Sequence, residues 1–258
     1  THYHAKAEAL GAIAEIRPFL QIEQAEIEKP EPSKSYTSNQ ITFSNLHLKY
    51  GNKDILKNIS LTIPFKQKIA IVGGSGQGKS SLLQLLMKFI HPTQGEISVH
   101  GTPLSTMESL DYAEYLQKIA WLNQTPQIIH GSIHDNLLLC HPTATHSEMI
   151  AVLKKVDLHD WMQALPHQLQ HRVGEKGTGL SGGQAVRLSL ARQLLKPNIQ
   201  LMLLDEPTQS LDDETALEII QMLVQNWADK TVIICTHRTE ILPFVDKIYT
   251  LKEGRILT

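Results

Sequence analysis

Cysteine is nearly missing from this chain. Only Cys140 and Cys235 occur, far apart and outside any metal-binding or redox spacing. That excludes a disulfide framework and reads as two reduced thiols. Long apolar runs are missing too: nothing approaches the roughly 20 consecutive apolar residues that span a bilayer. Neither sign of charge is in excess. The 24 Lys and Arg against 26 Asp and Glu leave a net charge of −2, so there is no electrostatic footprint for nucleic acid. Histidine is frequent, at 13, but scattered. The one close pair, His130 and His134, encloses Gly131 and Ser132, which argue for a turn rather than a helix face carrying two metal ligands. What is left is ordinary. With 258 residues, 41% of them hydrophobic and 19% charged, the chain is globular and long enough for one large domain or two small ones.

The most informative stretch is Gly73-Gly74-Ser75-Gly76-Gln77-Gly78-Lys79-Ser80, which fits the phosphate-loop pattern G-x-x-x-x-G-K-[ST]. Lys68 to Val72 before it reads as a buried strand, and Ser81 to Met87 after it as a helix. The motif requires that context. Glycines let the backbone curl until its N–H groups point at phosphate oxygens, and the helix start adds partial positive charge. Lys79 is suited to the β- and γ-phosphates, the Ser80 hydroxyl to Mg²⁺.

Residues 1–28 read as helical, with alanines and apolar residues among Lys6, Glu8, Glu15 and Arg17 until Pro18 interrupts. Residues 29–40, opened by Lys29-Pro30-Glu31-Pro32, read as an extended linker. From Ile41 the alternation predicts a half-buried strand to Tyr50, a turn at Gly51-Asn52, and a second strand over Ile59 to Ile63 closed by Pro64. Tyr50, at a strand end before a turn, can offer its ring to an adenine base. Gly95 to Gly101 reads as strand and turn. Ile119 to Gln124 reads as a strand whose C-terminal end carries Gln124, where open α/β sheets bind ligand. Gln124 is therefore a candidate contact to Mg²⁺ or to an attacking water.

The βα alternation then breaks. Short helices are predicted over Ile133 to Leu139, Ser147 to Val156 and Leu158 to Leu165, within a helical subdomain of about 125–195. After the glycine-punctuated run Val173 to Gly179 comes Leu180-Ser181-Gly182-Gly183-Gln184 and a helix to Leu195. Ser181 is a natural N-cap, and Gly182 and Gly183 expose first-turn N–H groups. This is a second anion site in a chain with one phosphate loop, so the economical reading is that it meets nucleotide held by another subunit. Ile199 to Glu206 reads as a buried strand ending in two carboxylates. Asp205 is placed to hold Mg²⁺, and Glu206, either pointing away or turning out at the strand end, to orient or deprotonate a water. Ser210-Leu211-Asp212 forms a turn before a helix over Asp213 to Trp227. The strand Thr231 to Thr236 ends at His237, a candidate donor to the γ-phosphate.

Taken together, residues 41–258 resemble the nucleotide-binding domain of the ATP-binding cassette (ABC) family. Gly73 to Ser80 matches its phosphate loop, Leu180 to Gln184 its LSGGQ signature, and Leu201 to Glu206 its metal-binding strand with catalytic glutamate. Gln124, Asp212, His237 and Tyr50 match its glutamine, aspartate, histidine and adenine-stacking positions. The resemblance implies an α/β fold: a phosphate-loop core with a mixed sheet, an antiparallel β subdomain and a helical subdomain. It implies ATP and Mg²⁺ as cofactors, with Ser81, Gly74, Ser75, Gly76, Gln77 and Gly78 around the phosphates. It further implies a head-to-tail dimer with a second such domain, each ATP lying between one phosphate loop and the partner's Ser181-Gly182-Gly183-Gln184 equivalent.

Val173-Gly174-Glu175-Lys176-Gly177 resembles the loop that precedes the signature in exporters. Residues 1–28 then correspond to the cytosolic end of the last transmembrane helix, and the domain works at the cytoplasmic face of a membrane with its own or a partner's transmembrane domain. Tyr3 to Ala12 resembles bacterial heterodimeric exporters of cysteine and glutathione, which makes those thiols the candidate cargo. The competing expectations are an exporter of lipid, drug or peptide and a soluble cassette ATPase. Repair members of the soluble class carry a long coiled coil that is missing between Lys79 and Leu180, and translation members carry two cassettes per chain.

Overall fold

The computed structural model describes residues 39–174 and 179–257. The helix expected over 1–28, the linker up to residue 38, and Glu175-Lys176-Gly177 of the loop before the signature lie outside the described residues.

Strand β1 (Gln40–Tyr50) turns at Gly51-Asn52 into β2 (Lys53–Pro64). β2 starts six residues before the predicted Ile59, because the hairpin pairs from its tip, Tyr50 opposite Lys53 and Leu48 opposite Leu56. The register shifts after Phe43, where Asn45 takes a left-handed φ of 47°, so the buried set moves from Ile41 and Phe43 to Leu46 and Leu48. β3 (Lys68–Val72) and helix α1 (Lys79–Leu86) follow, then β4 (Gln94–Val99), β5 (Thr102–Pro103), α2 (Ser109–Gln117) and β6 (Ile119–Leu122). The order β2-β1-β4-β5 makes an antiparallel sheet.

β7 (Gly131–Ser132) pairs with β8 (Arg172–Val173), and between them lie α3 (Ile133–Leu138), α4 (His146–Lys155) and α5 (His159–Gln163). Gly131-Ser132, expected as a turn, is this short strand instead. Ser132 also caps α3 through a capping box with Asp135, and Thr145 caps α4 in the same way with Glu148. α6 (Gly182–Leu194), β9 (Leu201–Asp205), α7 (Asp213–Asn226), β10 (Thr231–Thr236), β11 (Lys247–Lys252) and β12 (Arg255–Leu257) complete the described chain. The second sheet runs β12-β11-β3-β10-β9-β6, parallel except for β12.

The side-chain period of two divides this sheet between two cores. Ile69, Ile71, Leu201, Leu203, Ile233 and Cys235 face a cluster shared with the antiparallel sheet and α1. Their neighbours Ala70, Met202, Leu204, Val232 and Ile234 face a cluster shared with α3 to α7. The parallel register is level at one end: Thr236 lies opposite Val72 and Cys235 opposite Asp205. Gly73, Glu206 and His237, the next residues along their strands, therefore leave the sheet at one edge. Two α2 tyrosines secure the end of α1: Tyr115 donates its hydroxyl to the Leu86 carbonyl (3.0 Å) and Tyr112 to that of Met87 (2.6 Å).

Candidate active site

Between β3 and α1 the chain has no room for side chains at two points. A Cβ on Gly73 would lie 2.4 Å from the Leu251 carbonyl oxygen, and Gly78, at φ 99°, would put one 2.9 Å from Leu56. The loop so formed lines a cavity of about 560 Å³ with Gly73, Gly74, Ser75, Gly76, Gly78, Lys79, Ser80 and Ser81. Tyr50, Gln124, Glu206 and His237 line the same cavity, which brings together four elements far apart in the chain. Tyr50 is 49% exposed.

Lys79 is 6% exposed and donates to the carbonyls of Gly73 (2.8 Å) and Gly74 (3.1 Å). Its Nζ also lies 3.1 Å from Glu206 Oε1. Glu206 turns out of the strand: its φ is 48°, and its N–H donates to the Cys235 carbonyl (2.9 Å). Of the described non-glycine residues with a left-handed φ, Glu206 is the one that lines the cavity. The other carboxylate oxygen, Oε2, is 2.5 Å from His237 Nδ1. Lys79, Glu206 and His237 thus form one polar chain across the cavity.

Asp205, the last residue of β9, is buried, and its Oδ1 has no hydrogen-bond partner among the described residues. Burial pushes its carboxyl above the usual carboxylate range. Glu206 adds to the rise, and the Ser80 hydroxyl and Lys79 oppose it. An orphaned carboxylate oxygen beside a serine hydroxyl suits a hard divalent cation, so these residues fit Mg²⁺. Gln124 sits two residues beyond β6, and its Nε2 donates to Gln209 Oε1.

One expected contact is arranged differently. Gln77 accepts from the Glu253 N–H (2.6 Å) and ties the loop to the turn between β11 and β12; its side chain is not among those lining the cavity. Ser181 and Gln184 spend their side chains on each other's backbone, Ser181 Oγ accepting from Gln184 N–H (3.2 Å) and Gln184 Oε1 from Ser181 N–H (2.9 Å). The Gly182 and Gly183 N–H groups are left without a partner among the described residues. Both glycines are pressed against the segment entering α7: a Cβ on Gly182 would lie 3.0 Å from Leu211, and one on Gly183 2.7 Å from Thr215. Asp212 caps α7 by accepting from Thr215 N–H (2.9 Å). Neither Asp212 nor Ser181 to Gln184 lines the phosphate cavity.

Sequence reasoning missed Gln209 and Ile55, which line the cavity. Gln209 had a weak signal, being a polar residue between the Glu206 strand end and the Asp212 turn. Ile55 had none.

Fold and site together define a phosphate-loop ATPase domain that binds nucleotide. The ABC transporter family matches residues 56–209, and the chain belongs to that family. It is 33% identical over 241 residues, 93% of its length, to the transport/processing ATP-binding protein ComA of Streptococcus pneumoniae, covering 33% of that protein. It is 32% identical over an alignment of 260 positions that spans 100% of this chain to the glutathione/L-cysteine transport system ATP-binding/permease protein CydD of Escherichia coli, covering 43% of it. Among solved structures, a bacterial Atm1-family ABC exporter with ATP bound superposes with a TM-score of 0.80 at 27% identity, over 99% of this chain and 45% of that one. The chain therefore spans less than half the length of these relatives.

Proposed function

We propose that this chain is the domain that binds and hydrolyses ATP to power export of a substrate across a membrane. The observation that carries the reading is the line Lys79–Glu206–His237 across the phosphate cavity. It joins a cation for the β- and γ-phosphates, a base for water and a donor for the γ-phosphate. Entering phosphate takes the place of Glu206 at Lys79 Nζ, which frees the carboxylate to orient a water. Tyr50 offers its ring to the adenine. Ser80, Asp205 and Gln124 would hold Mg²⁺, which when bound screens phosphate charge.

The domain works as a head-to-tail dimer with a second ABC nucleotide-binding domain, identical or different. The support is the Gly182 and Gly183 N–H pair, which has no partner among the described residues and lies outside the chain's own cavity. Its place is the cytoplasmic face of a bacterial inner membrane, coupled to a transmembrane domain of its own or of a partner. The relative named as an ATP-binding/permease protein supports that arrangement. Cysteine or glutathione is the proposed cargo, on the similarity to CydD, which spans this whole chain and 43% of CydD. The 33% identity to ComA, against 32% to CydD, favours a different cargo as the second reading.

Calorimetric titration with Mg·ATP tests the core of the proposal. Lys79→Ala removes the counter-charge to the phosphates and is expected to abolish tight binding; unchanged affinity would sink the assignment. ATPase activity of the protein in proteoliposomes, with glutathione or a peptide inside or outside, separates the two cargo readings.

A further inference from the structure

His237 and Arg238 are consecutive, just past the end of β10, and serve different parts of the molecule. His237 reaches Glu206 in the phosphate cavity. Arg238 reaches the segment that enters α7. Its Nη1 donates to Asp213 Oδ1 (2.8 Å) and its Nη2 to the Leu211 carbonyl (2.8 Å). Its own N–H is held by Thr236 Oγ1 (3.0 Å). The side chain is only 14% exposed, and its Nε is buried with no hydrogen-bond partner among the described residues. Asp213 is almost fully exposed, so that ion pair contributes little. The half-buried bond to the Leu211 carbonyl is the stronger tether, since charge-assisted bonds to fixed acceptors are directional.

Leu211 is in turn packed over Gly182, where an added Cβ would lie 3.0 Å from its side chain. An unbroken set of contacts therefore runs Lys79–Glu206–His237, then along the backbone to Arg238, then Leu211 and Gly182. Close-packed contacts of this kind transmit displacement instead of absorbing it.

We infer that Arg238 is a positioning residue that links the nucleotide cavity to the first turn of α6 within one chain. When nucleotide draws Glu206 and His237 into new positions, Arg238 carries the change to Leu211 and so to the N–H groups of Gly182 and Gly183, which have no partner among the described residues. One chain's occupancy thereby sets the shape of the anion-binding face it offers elsewhere. The inference rests on the nucleotide reading of the cavity.

Hydrogen exchange on the full chain tests it, with Mg²⁺ and a non-hydrolysable ATP analogue, at a concentration where light scattering gives the mass of one chain. In the wild type, exchange at the Gly182 to Gln184 amides should change by about fivefold or more on saturation, the lower end of ordinary coupling between sites. Arg238→Ala should lose that change while still binding the analogue. Arg238→Lys keeps the charge but cannot fork to two acceptors; it should lose most of the change, and it serves if the alanine variant folds poorly. A purely structural role would raise α6 exchange equally with and without nucleotide and leave the difference intact. A nucleotide-dependent change that persists in both variants, or none in a wild type that binds the analogue, overturns the role of Arg238. A wild type that does not bind the analogue overturns the nucleotide reading itself.

Discussion

Lys79 and Glu206 share one buried contact, Nζ 3.1 Å from Oε1, with side chains 6% and 11% exposed. Each charge compensates the other where water is largely excluded, and removing either leaves its partner uncompensated. The lysine that would hold phosphate already holds a carboxylate, so on the proposed reading nucleotide binding would also free Glu206. Glu206→Gln removes the charge and the basicity but keeps the size. A positioned general base contributes about 10²–10⁴-fold. We expect kcat to fall by that order in single-turnover hydrolysis, with ATP affinity retained or raised because Lys79 no longer has a competing anion. Cleavage at the wild-type rate would remove Glu206 from the mechanism.

Asp205 is expected to behave as a metal ligand that is uncomfortable without its metal. Burial raises its carboxyl pKa in the folded chain, so the folded state binds that proton more readily than the unfolded one. The sign follows: the charged carboxylate destabilises the metal-free fold above its raised pKa, and the cost is relieved as pH falls through it. Asp205→Asn removes that cost. In EDTA at neutral pH its Tm should equal or exceed that of the wild type, while the Mg²⁺ concentration needed for half-maximal ATPase should rise. A variant less stable in EDTA with an unchanged Mg²⁺ requirement would count against the assignment.

Gly183 is expected to matter for packing as well as for its N–H. An added methyl would meet Thr215 Cγ2 at 2.7 Å, and overpacking of this kind costs about 1–3 kcal/mol. Gly183→Ala should therefore lower Tm, and Thr215→Ser, which deletes that methyl, should restore most of the loss. If ATPase activity stays low in the double variant while Tm recovers, the glycine is needed at the anion site itself.

Tyr115 is buried and holds the last α1 carbonyl. Tyr115→Phe would leave the Leu86 oxygen unpaired, a loss of about 1–3 kcal/mol in urea unfolding. Burial pushes the phenol well above its usual pKa. The tyrosine's contribution is thus complete below the ordinary phenol value and falls as pH rises beyond it, a slope that the phenylalanine variant should lack. Equal alkaline slopes for the two proteins would show that this hydroxyl does not titrate with unfolding.

The local chemistry of this protein was legible in its sequence. The loop Gly73 to Ser80, the capped glycines after Ser181 and the carboxylates closing the Leu201 strand each depend on neighbours a few residues away. So did the alternation of buried and exposed residues along β1 and the short helices after Ile133. The tertiary structure decided what depends on register and on distant backbone. Glu206 could point away or turn out, and its left-handed φ settles that it turns out. Its meeting with Lys79 and His237 needs β3, β10 and β9 to be parallel and level at their ends, a relation no single segment encodes. The pairing of Gln209 with Gln124, of Gln77 with the Glu253 N–H, and of Arg238 with the Leu211 carbonyl could not be read from the sequence for the same reason. Each is a polar side chain whose partner is supplied by chain far away in sequence, and only the packed fold brings the two within hydrogen-bonding distance.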